Sequence, residues 1–263
     1  FGIRTGEPVT DALRKCPGLT IVPPDHHLYH EKSKALMAFL SDICPDIEQV
    51  SVDECYMDFT PIAYRYPDPV TAANRIRNQV REAFGFTVNV GVSDRKVLAK
   101  MASDFRKPDL VHTLFHTEIR KKMWPLPVSS LYMCGHSSVQ ALHNLGILTI
   151  GDLAQADVSI LTSHLKSHGR LLWEFANGID ASRVETEASE MKGIGNSTTM
   201  EKDAETMAEI RACLLTLAES VSTRLRAAGM RAGMVSVEIK YSSFQSVSHQ
   251  TTLSAPSDTC NTI

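Results

Sequence analysis

The sequence lacks any Cys-x-x-Cys pair. Its six cysteines (Cys16, Cys44, Cys55, Cys134, Cys213, Cys260) stand scattered along the chain. Neither a zinc site nor a disulfide framework is signalled, and reduced cytosolic thiols are the plain reading. No apolar stretch is long enough to span a bilayer and no signal peptide opens the chain, which predicts a cytoplasmic protein without a membrane partner. There is no excess of positive charge. Lys and Arg number 27 against 30 Asp and Glu, a formal net charge of −3. That counts against a nucleic-acid binder unless basic residues gather locally. No initiator Met precedes FGIRTGEP, which reads like the middle of a domain, and SAPSDTCNTI brings no closing element. The pattern predicts a portion of something longer.

What is present fits a globular protein of two or more domains: 263 residues, 43% apolar and 22% charged. VTDALRKC (9–16) reads as a short helix ended by Pro17-Gly18, and LTIVPP (19–24) as a short strand stopped by two prolines. Leu28, Leu36, Phe39, Leu40 and Ile43 lie on one face of a helix at about 28–43, and Val70, Ala73, Ile76, Val80 and Phe84 on one stripe of a second, 69–84. TVNVGVS (87–93) alternates as a strand. DRKVLAKMASDFRK (94–107) reads as a helix with Asp94 in its first turn and Val97, Leu98, Met101 and Phe105 inward. Helices over a sheet make an α+β layer, a shape that names no function by itself. Glycine-punctuated short helices fill 129–180. A linker poor in large apolar residues follows, and then a long helix at roughly 203–228 and two alternating strands, MVSVEIKYS and SVSHQTTLS.

One stretch poses a charge problem. In SVDECYMDFT (51–60) the apolar phase shifts by one residue at Asp53-Glu54, from Val50 and Val52 to Cys55, Met57 and Phe59. A tight turn between antiparallel strands produces that shift, with the acids at the bend. Two adjacent carboxylates repel and raise each other's pKa unless a positive charge offsets them, and a metal ion is the usual offset. Spacing alone equally allows a solvated hairpin turn.

GIRTGEP, CPGL, VPPDHHLY, SVDECYMDFT, NVGVSDRKVLAKMASDFRKP, WPLPV and CGHSSVQALHNLGILTIGDLA occur in this order. Together they resemble the Y-family (translesion) DNA polymerases of the DNA polymerase IV and UmuC kind, over nearly the whole chain. The resemblance implies a polymerase right hand: partial fingers at 1–27, a catalytic palm with a ferredoxin-like sheet at 28–116, a helical thumb with a helix–hairpin–helix at 117–185, a linker at 186–197 and a partial little finger at 198–263. It implies template-directed, error-prone, lesion-bypass DNA synthesis with two Mg²⁺, acting on primer-template DNA and dNTP. It leaves a sliding clamp open as a further partner.

By the same resemblance Asp53 and Glu54 are metal ligands and the catalytic acids, Lys107 before Pro108 meets the nucleotide's phosphates, and Gly135 offers backbone N–H groups to a DNA phosphate. Met133 stands where many such hairpins carry another glycine. Asp58, further down the strand, reads as structural, and Arg95, Lys100 and Arg106 as surface or DNA-facing charges. His26, His27 and His30 cluster, but no Cys or acid completes a zinc set. The family's first metal-binding Asp, its steric gate and a Tyr/Arg pair on the phosphates all precede the FGIRTGEP segment. Two rivals remain at this level: a non-catalytic remnant that binds DNA or a partner, and a palm-type nucleotidyl cyclase.

Overall fold

Between Asp68 and Gly85 the chain carries its own start and stop signals. The Asp68 carboxylate accepts the Thr71 N–H at 2.8 Å, Pro69 opens the first turn, and Gly85 closes the helix with φ +73°. The result is α3 (Pro69–Phe84). Before it come α1 (Val9–Lys15), α2 (His26–Ile43), capped by Asp25, and the antiparallel strands β1 (Ile47–Gln49) and β2 (Cys55–Met57). Leu36 and Leu40 of α2 meet Ile76 and Val80 of α3, with Ile47, Met57, Phe59 and Phe84 against them. This is a helix layer on a hairpin. A computed structural model describes residues 1–187 and 191–263, and the chain divides into two compact units, Phe1–Ala188 and Ser189–Ile263.

Strands β3 (Val90–Val92) and β4 (Val111–Thr113) pair in parallel, so the chain between them must cross over, and it does so through α4 (Lys96–Ser103). The helix packs on β3 so closely that a Cβ on Gly91 would lie 1.9 Å from the Ala99 carbonyl oxygen. The inner face of α4 (Val97, Leu98, Met101, Ala102) then enters a core that continues through Leu114, Leu142, Ile150, Leu153, Leu161 and Leu172. These last residues belong to a helical region of α5 (Ile119–Lys122), α6 (His136–Asn144), α7 (Ile150–Gln155) and α8 (Val158–Ala176). Each fully buried leucine there contributes about 1.5–3 kcal/mol. One apolar core thus joins α4 to the helices that follow, and a second lies under α2 and α3.

Several expectations are corrected. Residues 19–24 form no strand; Ile21 and Val22 are exposed, and Pro23 and Pro24 supply no ladder donor. Val50 and Val52 are not strand residues either. Both are 47% exposed, because the ladder ends at Gln49↔Cys55 and the N–H groups of Val50 and Ser51 turn inward to the Glu54 carbonyl. The helix expected over 94–107 is shorter. Asp94 lies outside it, and the Asn89 amide takes the carbonyls of Ser103 and Arg106 that a longer helix would have used. The stretches SILTSHLK and GRLLWEFANG join in one element, broken where Lys166 adopts φ +56°. The α+β class holds. Among the described residues the sheet of the first unit is in two pieces, β1–β2 and β3–β4, with no ladder between them.

In the second unit, α9 (Met207–Ala227) starts on a reciprocal cap between Thr206 and Glu209. The antiparallel pair β5 (Ala232–Lys240) and β6 (Ser246–Ser257) follows, as the alternation predicts. Of the expected linker 186–197, residues 188–190 lie outside the described residues, and the rest carries no helix or strand.

The fit of α4 on β3 gives a direct test. Gly91→Ala should destabilise the chain by about 1–3 kcal/mol, because the clash is with backbone that cannot step aside. Chemical denaturation should show a lower midpoint with an unchanged slope. An unchanged midpoint would show that α4 does not press on β3.

Candidate active site

The acid pair sits where the sequence puts it, on the β1–β2 connection, but in a five-residue loop rather than a tight turn. Val50 and Ser51 both donate backbone N–H to the Glu54 carbonyl, at 2.9 and 3.2 Å. The Ser51 hydroxyl donates to Asp53 Oδ1 at 2.9 Å and accepts the Asp53 N–H at 3.4 Å. These bonds fix the loop backbone while leaving the Asp53 carboxylate exposed to solvent.

Glu54 is held differently. Lys100 Nζ donates to Glu54 Oε1 at 2.5 Å. Lys100 comes from the outer side of α4 and its side chain is only 18% exposed. The same ammonium reaches Asp104 Oδ2 at 3.1 Å, and Lys107 Nζ pairs with Asp104 Oδ1 at 2.7 Å. Glu54, Lys100, Asp104 and Lys107 therefore form one chain of alternating charge. Burial works against the charge on Lys100, yet the bonds from Glu54 and Asp104 outweigh it and hold its pKa above the ordinary lysine value. Burial likewise works against the Asp104 carboxylate, and the two lysines, Lys107 first, hold its pKa below the ordinary value.

Lys107 is thus close to the acids through one intermediary, on a side chain 59% exposed. Lys100 was grouped in the sequence with Arg95 and Arg106 as a surface charge. Its contact with Glu54 was readable only from the spacing of 96, 100 and 104, one stripe at helical repeat, once α4 is known to face the hairpin. Asp58 accepts the Thr60 N–H at 3.0 Å at the start of a 3₁₀ turn, and the Thr60 hydroxyl, followed by this backbone bond, lowers its pKa. Its carboxylate bonds this turn and does not join the acid pair. Gly135 is the residue before α6, some distance along the chain in the helical region. A Cβ there would meet nothing within 4 Å, so its backbone is open to approach. Met133 beside it takes φ +68°, the left-handed conformation that glycine supplies in other hairpins. His26, His27 and His30 lie in the first turns of α2.

Hard carboxylate oxygens on an exposed loop suit Mg²⁺, which keeps several waters and takes one or two carboxylates. Asp53 and Glu54 fit as two ligands of such a set. Among the described residues no group of three or more His, Cys, Asp or Glu is gathered for a metal.

Residues 1–104 match the impB/mucB/samB family, and residues 191–263 match the C-terminal domain of the same family. The chain belongs to the impB/mucB/samB family. Family relatives align with it nearly from end to end. DNA polymerase IV of Clostridium acetobutylicum is 44% identical over 250 residues, covering 95% of this chain and 63% of that protein. DNA polymerase IV of Moorella thermoacetica is 36% identical over 264 residues, with coverage of 100% and 66%. DNA polymerase IV 1 of Bacillus subtilis is 35% identical over 263, with 100% and 63%. The chain spans slightly less than two thirds of the length of these curated relatives. Its fold is that of Y-family DNA polymerases: a Dbh–Dpo4 chimera superposes with a TM-score of 0.87 at 21% identity, over 99% of this chain and 75% of the other. An insertion ternary complex of Dbh DNA polymerase gives 0.67 over the same shares. The helical region and the second unit, which a nucleotidyl cyclase would leave without a purpose, are matched with the rest.

The charge chain predicts a pH dependence. The Asp104 pKa is lowered by folding, so its contribution to stability is present above the unfolded value near 3.8 and is lost as pH falls through the folded value. Asp104→Asn should cost about 0.5 kcal/mol at neutral pH, a small figure because the carboxylate is partly exposed. The difference from the unsubstituted chain should shrink progressively as pH falls below about 4. Denaturant melts in steps from about pH 7 down to about pH 2 read it; a difference that did not shrink over that range would show that the effect is not one of charge.

Proposed function

We propose that the protein carrying these 263 residues is a template-directed DNA polymerase of the error-prone, lesion-bypass kind, adding dNMP to a primer 3′ end and working in the cytoplasm. One observation carries the reading. In a chain 44% identical to a DNA polymerase IV, two adjacent carboxylates stand exposed on a hairpin loop that helix α4 braces from one side.

Asp53 and Glu54 would hold Mg²⁺, two ions about 4 Å apart being the usual arrangement for phosphoryl transfer. A third carboxylate is needed, which the family resemblance puts ahead of the FGIRTGEP segment. When bound, such ions polarise the triphosphate and activate the primer's 3′ oxygen. The chain's own residues do the positioning. Ser51 fixes the orientation of Asp53 through its hydroxyl. Lys100 holds Glu54 and has Asp104 as a second partner, so Glu54 can be turned toward a metal without stranding an unpaired ammonium. Lys107, long and exposed, can leave Asp104 to give the triphosphate a point charge. The first turn of α6 would offer N–H groups to a DNA phosphate just past Gly135, whose own N–H donates to the Met133 carbonyl. A grip built on phosphates reads no sequence and weakens as salt rises. The resemblance leaves a sliding clamp open as a further partner.

Primer extension with Mg²⁺ and dNTP tests this. Asp53→Ala should reduce extension to background while leaving the melting curve unchanged, because the side chain is exposed and, among the described residues, bonds to Ser51 alone. Retained extension would refute the metal role of Asp53. Extension that tolerated high salt as well as low would refute the phosphate grip.

A further inference from the structure

After α8 the chain does not leave the first unit at once. Residues 178–185 run back as a strap across the N-terminal end of α4. Gly178 opens it at φ +70°, where a Cβ would come within 2.4 Å of Ile119 Cδ1. Asp180 Oδ2 then accepts the Val97 N–H at 2.9 Å, and its Oδ1 accepts the N–H and the hydroxyl of Ser182. Lys96 Nζ donates to the Arg183 carbonyl at 3.0 Å, and the Glu185 N–H donates to Glu48 Oε2 at 2.7 Å. Lys96 and Glu48 close the circle, with Nζ at 2.8 and 2.6 Å from the two carboxylate oxygens. These two side chains are 17% and 20% exposed, so their pairing is less screened than an ordinary surface bridge.

Two features make this junction more than a tie for a loose segment. A cavity of about 190 Å³ lies beside it, bordered by Glu48, Tyr56, Lys96, Tyr132, Phe175 and Asp180. The strap's polar links run along the edge of this cavity. Glu48 also stands opposite Tyr56 in the β1–β2 ladder, one pair before the Gln49↔Cys55 step that opens the acid loop. The other anchor of that loop, Lys100 on Glu54, sits one turn further along α4. Both anchors of the loop are lysines of one helix, and the strap caps that helix.

We propose that Glu48 and Lys96 are positioning residues, through which the strap 178–185 and the capped end of α4 hold the loop carrying Asp53 and Glu54. The functional meaning rests on the polymerase reading, while the mechanical coupling does not. Hydrogen exchange on the 263-residue chain reads the coupling. Asp180→Ala removes the strap's bond to the Val97 N–H, one of its two polar links to α4, and replaces no residue of β1 or β2. It should speed exchange of the Val50 and Ser51 amides by about five-fold or more, together with that of Glu185, and leave the amides of α6 unchanged. Glu48→Gln should do the same to all three. Should Asp180→Ala fail to fold, Asp180→Asn keeps one acceptor and should give a smaller change in the same direction. Faster exchange at Glu185 with Val50 and Ser51 unmoved would overturn the proposal. In primer extension by the protein carrying these residues, Glu48→Gln should lower kcat about ten-fold with the KM for dNTP nearly constant. An unchanged kcat would overturn the positioning role even if exchange shows coupling. If the unsubstituted protein does not extend primers, the polymerase reading falls and the exchange result alone decides the coupling.

Discussion

The pairing of one helix with one hairpin, by opposite charges along a single stripe, organises the first unit. Helix α4 has two working faces. Val97, Leu98, Met101 and Ala102 are buried in the core shared with α6, α7 and α8. Lys96, Lys100 and Asp104, four residues apart, carry the ion pairs that reach Glu48 and Glu54. The apolar face sets where the helix lies, and its close approach to β3 at Gly91 leaves no room for a side chain between them. The charged face then sets where the acid loop lies. The loop's own hydrogen bonds hold its backbone, and these ion pairs hold it against the helix.

Electrostatics explains why the fixing is done by lysine. Two adjacent carboxylates on one loop repel, and each unpaired charge would have to stay hydrated to be tolerated. Asp53 takes that course and remains in solvent. Glu54 is brought to a partly buried ammonium instead. The two acids are thereby separated in environment although they are neighbours in sequence. The same division runs down α4: the Lys96–Glu48 pair is mostly shielded, while Lys107 at the far end is mostly open.

Much of this was legible in the sequence because it rests on local signals. The bounds of α3 follow from Asp68-Pro69 and Gly85, and the acids' place at a strand junction follows from the shift in apolar phase. The misread elements fail for reasons that side-chain alternation does not carry. LTIVPP has strand composition but pairs with no strand among the described residues, and Val50 has a strand side chain while its N–H, like that of Ser51, goes to the Glu54 carbonyl. The part of the site that was missed is entirely long-range. Lys100 meets a residue 46 positions away and Glu185 one 137 positions away. Periodicity says that Lys96, Lys100 and Asp104 share a stripe; it does not say what the stripe faces.

That asymmetry bears on how the acids can act. A loop whose backbone is fixed by its own hydrogen bonds, and whose flanks are fixed by α4, keeps its carboxylates in place without burying them. Positioning of this kind lowers the reorganisation needed when charge arrives. Lys100 adds a further element, because its bonds are shared between Glu54 and Asp104. Drawing Glu54 away weakens one contact of the ammonium and leaves the other. The electrostatic cost of freeing the acid is therefore smaller than for a simple buried pair, where removing one partner strands the other. The chain of alternating charge that ends at Lys107 thus supports the loop, and under the proposed function it gives Glu54 and Lys107 partners that each could leave without stranding a lone buried charge.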